Sequence, residues 1–379
     1  MFVKKCMITI REIEDKDLIP LAEYLPNGFP NIKQKTWLEK FEYWWTTNPA
    51  YSDHIPRGWL LEQNGAIVGF LGNIPVNIMV QGEVKPAAAA NSWYLEPSVR
   101  GIHSVRLFNE FMRQKNISVF LFKSYNENFK KFLSRYNFKE YILPKSQQEF
   151  IYIIDKKKLN PYSIAFILFN DVDLNFQGVA ELSRRVVFLI GSWIFQKSLV
   201  QGEHGADEVY TSSTCTSCDG SFLSIRLINQ GNTDIEIFYD VKTLNWLYFS
   251  NRGTNQRIVI QCKRSSDNSL AGYAVFDMVL KDQYGKRILQ LMDICIENEN
   301  LQVLKSLIAY AIEIGKQNNI KLMIVWTNSP DIDAYLWKAG VLKRSVQNYR
   351  YIRFSDSDDM SSLNKDSRNV YSSLIFPPQ

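Results

Sequence analysis

No stretch of this chain is both apolar enough and long enough to cross a bilayer. Its two longest strongly apolar runs, YSIAFILFN and VVFLIGSWIFQ, fall short of the roughly 20 residues a spanning helix needs. The start, MFVKKCMITIREIEDKD, carries charges where a signal peptide needs an apolar core, so the expectation is a cytoplasmic protein. Cysteine is sparse and odd in number, five in all, which fits reduced thiols better than a disulfide framework. Only three histidines occur, and no Ser-His-Asp or Cys-His grouping is legible. A long basic block is also missing: 44 Lys and Arg face 39 Asp and Glu, a net +5 spread along the chain. That balance suits a small anionic ligand as well as any polymer and argues only weakly for nucleic acid, so no nucleic-acid partner is expected. CTSC (Cys215 to Cys218) has the spacing of half a zinc site, but Cys262, Cys295 and His204 are scattered, so no metal is expected.

What is present is enough apolar surface, 46% of residues with 13% aromatic, to fill more than one core. A length of 379 residues makes two domains the expectation. The chain also repeats itself. The first half reads WWTTNP, GWLLEQNGAIVGFLGNIPV, NSWYLEPSVRGIHSVRLFNEF and ISVFLFKSYNENFKKFLSRYNF. The second reads LNWLYFSN, RIVIQCKRSSDNSLAGYAVFDMV, RILQLMDICIENENLQVLKSLIAYA and IKLMIVWTNSPDIDAYLWKAGV. Gly69 matches Gly272, Ser124 matches Thr327, and Asn137 matches Gly340, each pair 203 positions apart.

Each half reads as a strand, a polar turn, a second strand, a third strand ending in acidic residues, a helix, a fourth strand and a short helix. The helix after Gly101 puts Val105, Phe108 and Met112 on one stripe; its counterpart carries Leu301, Leu304, Ile308 and Ala311. Half-buried helices on a sheet are expected. The Trp-rich segment WLEKFEYWW, with Trp37, Phe41, Trp44 and Trp45 at helical spacing, is most simply a core face, with a wall of a substrate pocket as its functional reading. The expected boundaries are 1–155 and 225–355 for the two halves, 156–224 for a connection and 356–379 for a mobile, polar tail.

The chemistry concentrates between Asn91 and Phe111. Pro97 ends a strand, because it cannot donate to the ladder. Gly101 then lets the backbone approach a ligand, Arg100 adds a charged fork, and the N–H groups of Ile102, His103, Ser104 and Val105 open a helix without intrahelical partners. This predicts an anion-binding loop at the positive end of a helix dipole. On the strand before it, alternation puts Ser92, Tyr94 and Glu96 on one face, where Glu96 could act as a base; the plain alternative is a solvated strand end. His103 reads as a phosphate contact or a surface histidine, and His54 as an ordinary loop residue.

This order of strand, Arg-Gly loop, helix, strand, Asn-rich turn and short helix, doubled, resembles tandem members of the Gcn5-related N-acetyltransferase (GNAT) superfamily over about Ile8 to Asp155 and Leu223 to Phe354. The resemblance implies an α+β fold of two GNAT-like domains, each a mixed, mostly antiparallel sheet flanked by helices. It implies acyl-CoA, acetyl-CoA or longer, as donor substrate and a small-molecule primary amine, such as an amino sugar or amino acid, as acceptor. It also implies a carbonyl-binding backbone N–H beside a bulge at Trp93 to Leu95 and a pyrophosphate loop at Arg100 to Val105. Asn126, in the Asn-rich turn, joins the cofactor-binding set, with Glu96 and Tyr94 as catalytic residues. The chain departs from the family at His103, where a second glycine is usual, and at Leu133 and Leu336, where the thiolate-protonating tyrosine is usual. Tyr94, Tyr125 and Tyr136 are the available substitutes. The second half lacks Arg-Gly, and Glu297 and Glu299 would repel a pyrophosphate, so only the first half is expected to hold acyl-CoA. Two alternatives stand beside this: a non-catalytic GNAT-like binding protein, and a tRNA-dependent aminoacyl transferase of the peptidoglycan-bridge type.

Overall fold

The computed structural model describes residues 8–124, 128–140, 148–154, 186, 209–228, 235–250, 256–281, 286–327, 342–345 and 349–354. The predicted tail, most of the predicted connection, and Leu336 and Gly340 of the second repeat lie outside those residues. The chain divides into two compact units, neither continuous in sequence: Met1–Leu143 with Thr233–Thr254 and Asn348–Gln379, and Pro144–Asn232 with Asn255–Gln347.

The first unit is built on an eight-stranded sheet. Its strands are β1 (Ile8–Glu12), β2 (Gly58–Gln63), β3 (Ala66–Val80), β4 (Glu83–Leu95), β5 (Val119–Ser124) and β6 (Lys139–Glu140), completed by β9 (Ile235–Ile237) and β15 (Tyr349–Phe354). The order is β1-β2-β3-β4-β5-β15-β6, with β9 beside β3. Tight turns explain the meander. Asn64-Gly65 and Gln81-Gly82 all have positive φ (53°, 82°, 51° and 85°), the backbone that two-residue hairpin loops require. From β4 the chain returns through α3 (Ile102–Met112) to lay β5 parallel to β4. Helix α3 buries Leu107, Phe108 and Phe111 against Trp59, Leu61, Ala88, Ala90, Phe120 and Phe122 of the sheet. A separate aromatic cluster comes from α1 (Leu18–Tyr24), α2 (Gln34–Phe41) and the π-helical turn Glu42–Thr46.

The second unit holds seven strands in the order β14-β7-β13-β12-β11-β10-β8. These are β7 (Gln148–Ile153), β8 (Tyr210–Cys215), β10 (Gln256–Arg264), β11 (Leu270–Lys281), β12 (Lys286–Ile296), β13 (Leu322–Thr327) and β14 (Leu342–Ser345). Helix α7 (Leu301–Gln317) covers one face, burying Val303, Leu304, Leu307, Ile308 and Ala311 against Ile260, Phe276, Leu289 and Met323.

The repeat is visible in pairing. In each unit three antiparallel strands (β2-β3-β4; β10-β11-β12) are followed by a parallel partner, β5 or β13. Gly69 faces Leu95, the last residue of β4, and Gly272 faces Ile296, the last residue of β12. The expected boundaries need correction. Strand β7, assigned to the first half, pairs with β13 and β14 of the second sheet, and β15, assigned to the second half, pairs with β5 and β6 of the first. Helix α6 (Val241–Phe249) also belongs to the first unit, its Trp246 indole donating to Tyr43 O at 2.8 Å and stacking on the Tyr43 ring at 4.9 Å. Conversely β8 and α5 (Gly220–Ile228), expected in the connection, are part of the second unit. A strand pairs where open edges and apolar faces are available, and nothing in a local pattern says which sheet offers them.

Candidate functional site

Two irregularities open the first sheet at one point. Phe70 faces Tyr94 and Gly72 faces Asn91, so Ser92 and Trp93 together oppose Leu71 alone, a β-bulge. Ser92 adopts φ 54° at the bulge, with its Oγ donating to Asn91 Oδ1 at 2.9 Å. The parallel pairing of β4 with β5 covers only Ala87–Ala90 against Val119–Phe122, although both strands run further. Beyond Ala90 the two strands part, and the β5-facing edge of β4 is left without a ladder. A bulge beside a diverging parallel pair presents strand N–H and C=O groups to a ligand as an edge strand would.

At the far end of β4, Pro97–Val99 forms a turn of 3-10 helix before Arg100, and Gly101 (φ 84°, ψ −115°) precedes α3. That backbone is one only glycine adopts without strain. The expected four free amides are two. Ser104 and Val105 donate to Gly101 O at 3.1 and 3.4 Å, so the outward donors among the described residues are Ile102 and His103. Ile102 is 70% exposed, and His103 Nδ1 lies 3.2 Å from the Arg106 guanidinium. Arg100 does not fork over the loop mouth. Its Nε donates to Leu95 O at 3.0 Å and its guanidinium lies 6.0 Å from the Tyr94 ring centroid, because the extended Arg100 backbone turns the side chain back along the end of β4.

Trp93 and Tyr94 go separate ways, as neighbours on a strand must. The Trp93 indole stacks on Phe108 at 5.2 Å and meets Phe122, Phe129 and Phe132, the last two from α4 (Asn128–Ser134); its Nε1 is buried without a partner. Leu95 is buried in the same core. Tyr94 packs instead on Tyr24 at 5.7 Å and Phe29 at 6.0 Å, and directly over Gly28. Glu96 is half-buried, its N–H donating to Val68 O at 2.9 Å. The bulge breaks the strict alternation expected at Ser92.

Trp44 and Trp45 do not border this place. Both are sealed in the core, with Trp45 Nε1 donating to Asn73 O at 2.8 Å, so the aromatic stripe is the core face of its simpler reading. His54 is exposed in its turn. Leu133 is fully buried, and Tyr136 is engaged, its hydroxyl bonding Asn109 Oδ1 at 2.7 Å. Asn126 and Tyr125 lie outside the described residues. Burial pushes the Cys215 thiol up to about 11 and the Cys218 thiol upward as well, which marks them as inert.

The residue sequence reasoning missed is Tyr24, the last of α1. It is 8% exposed, and its hydroxyl is buried without a hydrogen-bond partner. Burial, then the neighbouring Tyr94 and Glu96, holds its phenol well above the usual range. The signal available was Leu25-Pro26-Asn27-Gly28, a helix stop that keeps the end of α1 close to whatever packs on Gly28.

The second unit has the same two irregularities, closed by its own side chains. Val275 faces Asp293 while Phe276 faces Leu291, which leaves Met292 as the extra residue of a bulge, and β12 pairs with β13 only over Leu289 and Gln290. Asp293 Oδ1 accepts from the Ile294 N–H at 2.9 Å, and its other oxygen pairs with Arg226, whose Nε donates to Tyr273 Oη at 3.0 Å. At the head of α7 no glycine intervenes, and Asn300 Oδ1 takes the Gln302 N–H at 2.9 Å. Glu297 is neutralised by Arg264, so the expected charge repulsion gives way to donors that are already occupied. The Glu299 side chain lies outside the description.

No family model matches the chain, and no curated protein matches it in sequence. Solved structures do match its fold. A conserved protein of Enterococcus faecalis V583 described as a probable N-acyltransferase aligns with TM-score 0.58 and 9% identity, over 92% of this chain and 73% of that one. N-myristoyltransferase of Saccharomyces cerevisiae with bound myristoyl-CoA aligns with TM-score 0.54 and 10% identity, over 92% and 84%. A tandem GNAT protein of the clavulanic acid biosynthesis pathway aligns with TM-score 0.54 and 10% identity, over 92% and 99%. The fold is that of the tandem GNAT acyltransferases.

Proposed function

We propose that this protein is an N-acyltransferase that moves an acyl group from acyl-CoA directly to a primary amine of a small molecule, with the acyl-CoA held by the first unit. The carrying observation is the bulge at Ser92–Trp93 beside the parting of β4 and β5, with the Gly101-headed α3 at the end of the same strand. The pantetheine arm would pair with the open β4 edge. Its pyrophosphate would take the N–H groups of Ile102 and His103.

Direct transfer needs the thioester carbonyl on a donor, a group to take the amine's proton, and exclusion of water. Backbone N–H groups beside the bulge supply the first. Glu96, half-buried on the Tyr94 face, is the available carboxylate for the second. As nitrogen bonds to the carbonyl carbon, the C–S electron pair leaves on sulfur and is protonated by water. The second unit is read as structural, because the N–H that would hold a thioester is already bonded to Asp293.

Calorimetric titration of the full chain with acetyl-CoA and with myristoyl-CoA tests the reading. One equivalent per chain is expected, and absence of binding for both overturns it. The engaged Tyr136 hydroxyl and buried Leu133 favour, as a second reading, a protein that binds the thioester without turning it over. Binding with no coenzyme A release across a wide panel of amines would select it.

A further inference from the structure

The end of β4 carries two opposite charges on one side of the sheet that do not pair with each other. Arg100 is tethered by Nε to Leu95 O, with its guanidinium by the Tyr94 ring, and Glu96 lies beside the same tyrosines. Among the described residues neither side chain makes an ion pair. Near both lies the Tyr24 hydroxyl, a donor buried without a partner. Gly28 gives the wall its shape, since any Cβ there would run into the Tyr94 ring.

A buried hydroxyl whose proton has no acceptor is costly, and its presence calls for an acceptor supplied from elsewhere. Unpaired opposite charges a few residues apart call for a ligand with the reverse arrangement. A zwitterion meets both demands: its ammonium goes to Glu96, its carboxylate to Arg100 and the Tyr24 O–H. We infer that the acceptor is a free α-amino acid, whose carboxylate is read by Tyr24 and Arg100 and whose amine is delivered to Glu96. An amino sugar, which has no carboxylate, would leave the Tyr24–Arg100 end facing no charge.

This rests on the acyl-CoA reading above. Glu96 first takes one proton from the ammonium, which frees the nitrogen lone pair; as that nitrogen bonds to the thioester carbon, the C–S bond breaks with its electron pair on sulfur. The nitrogen's second proton passes through water to the thiolate, and the acceptor's carboxylate is unchanged.

The test measures coenzyme A release from acetyl-CoA by the full chain with each of the twenty free amino acids, the amines left by removing their carboxyl groups, and glucosamine. At least one amino acid should react about tenfold faster in kcat/KM than its decarboxylated partner, the difference a hydrogen-bonded charge makes. Tyr24→Phe, which deletes an unpaired hydroxyl and so should fold, and Arg100→Gln should each shrink that ratio by raising KM for the amino acid. Reaction of the bare amines or glucosamine at equal or higher rates overturns the inference, as does a ratio that both variants leave intact. Acetyl-CoA binding with no amino acid reacting overturns it too while sparing the acyl-CoA reading. Failure to bind acetyl-CoA removes both.

Discussion

Gly28→Ala isolates the packing that shapes the Tyr24–Tyr94 face. Gly28 has φ −97° and ψ −19°, a backbone alanine accepts, so on chain entropy alone the change should stabilise by about 0.4–1 kcal/mol. The added methyl would lie 2.4 Å from both Cγ and Cδ2 of Tyr94, well inside contact distance and against the root of the ring rather than a flexible tip. The ring has little room to retreat, with Tyr24 at 5.7 Å and Phe29 at 6.0 Å on its other sides. Overpacking of this kind costs about 1–3 kcal/mol, so the net expectation is a loss of about 1–2 kcal/mol. Thermal unfolding should show the midpoint falling by roughly 3–6 °C. Adding Tyr94→Ala to Gly28→Ala should remove most of the penalty assigned to the methyl, giving a coupling of about 1 kcal/mol or more in the double-mutant cycle. A neutral or stabilising Gly28→Ala, or strict additivity with Tyr94→Ala, would mean that Tyr94 swings free of α1 and that the described face is not fixed.

Gly101→Val should lose about 1–3 kcal/mol of stability through its positive φ alone, measured by denaturant unfolding, so that weaker coenzyme A binding in this variant must exceed that loss before it counts as a phosphate effect. Asp293→Ala leaves Arg226 without its carboxylate and should destabilise by about 1–3 kcal/mol in denaturant unfolding, while calorimetry still finds one acetyl-CoA per chain; a second equivalent would show that the second unit is a masked site. Hydrogen bonds from Arg11 hold the Asp17 carboxylate below its ordinary range. A depressed folded-state value stabilises above the unfolded carboxylate range, near pH 4, and that stability is lost as pH falls through the folded value. Melting curves of native protein and Asp17→Asn should therefore differ most at neutral pH and converge below about pH 4.

The order of strands, turns and helices along each half was legible because turn chemistry and apolar periodicity are local. Asn64-Gly65 dictates a hairpin wherever it stands, and the match of Gly69 with Gly272 pointed to a repeated strand; the structure adds that each glycine stands opposite the end of the next strand. The core role of Trp37 and Phe41 followed from helical spacing in the same way. Partner choice was not legible. Gln148–Ile153 and Tyr349–Phe354 read as strands, but an apolar pattern fixes the face a strand buries, not the sheet whose edge it joins.

At the site the same division applies, with a functional consequence. The loop from Pro97 to Gly101 announced itself through residues whose backbone preferences are intrinsic, and its place before α3 followed. The aim of Arg100 did not, since a side chain's direction is set by competition among acceptors, and here Leu95 O takes its Nε. Tyr24 was hidden for the opposite reason: its importance lies in a hydrogen bond it does not make, and an absence leaves no pattern in sequence. The two bulges carry the point furthest. Both units keep the geometry that exposes strand N–H groups, yet Asp293 closes one from within while among the described residues no side chain does so for Trp93 or Tyr94 in the other. A duplicated backbone can therefore retain one ligand-ready edge and use the other as internal structure, with the difference set by whether a carboxylate stands within reach of a single amide.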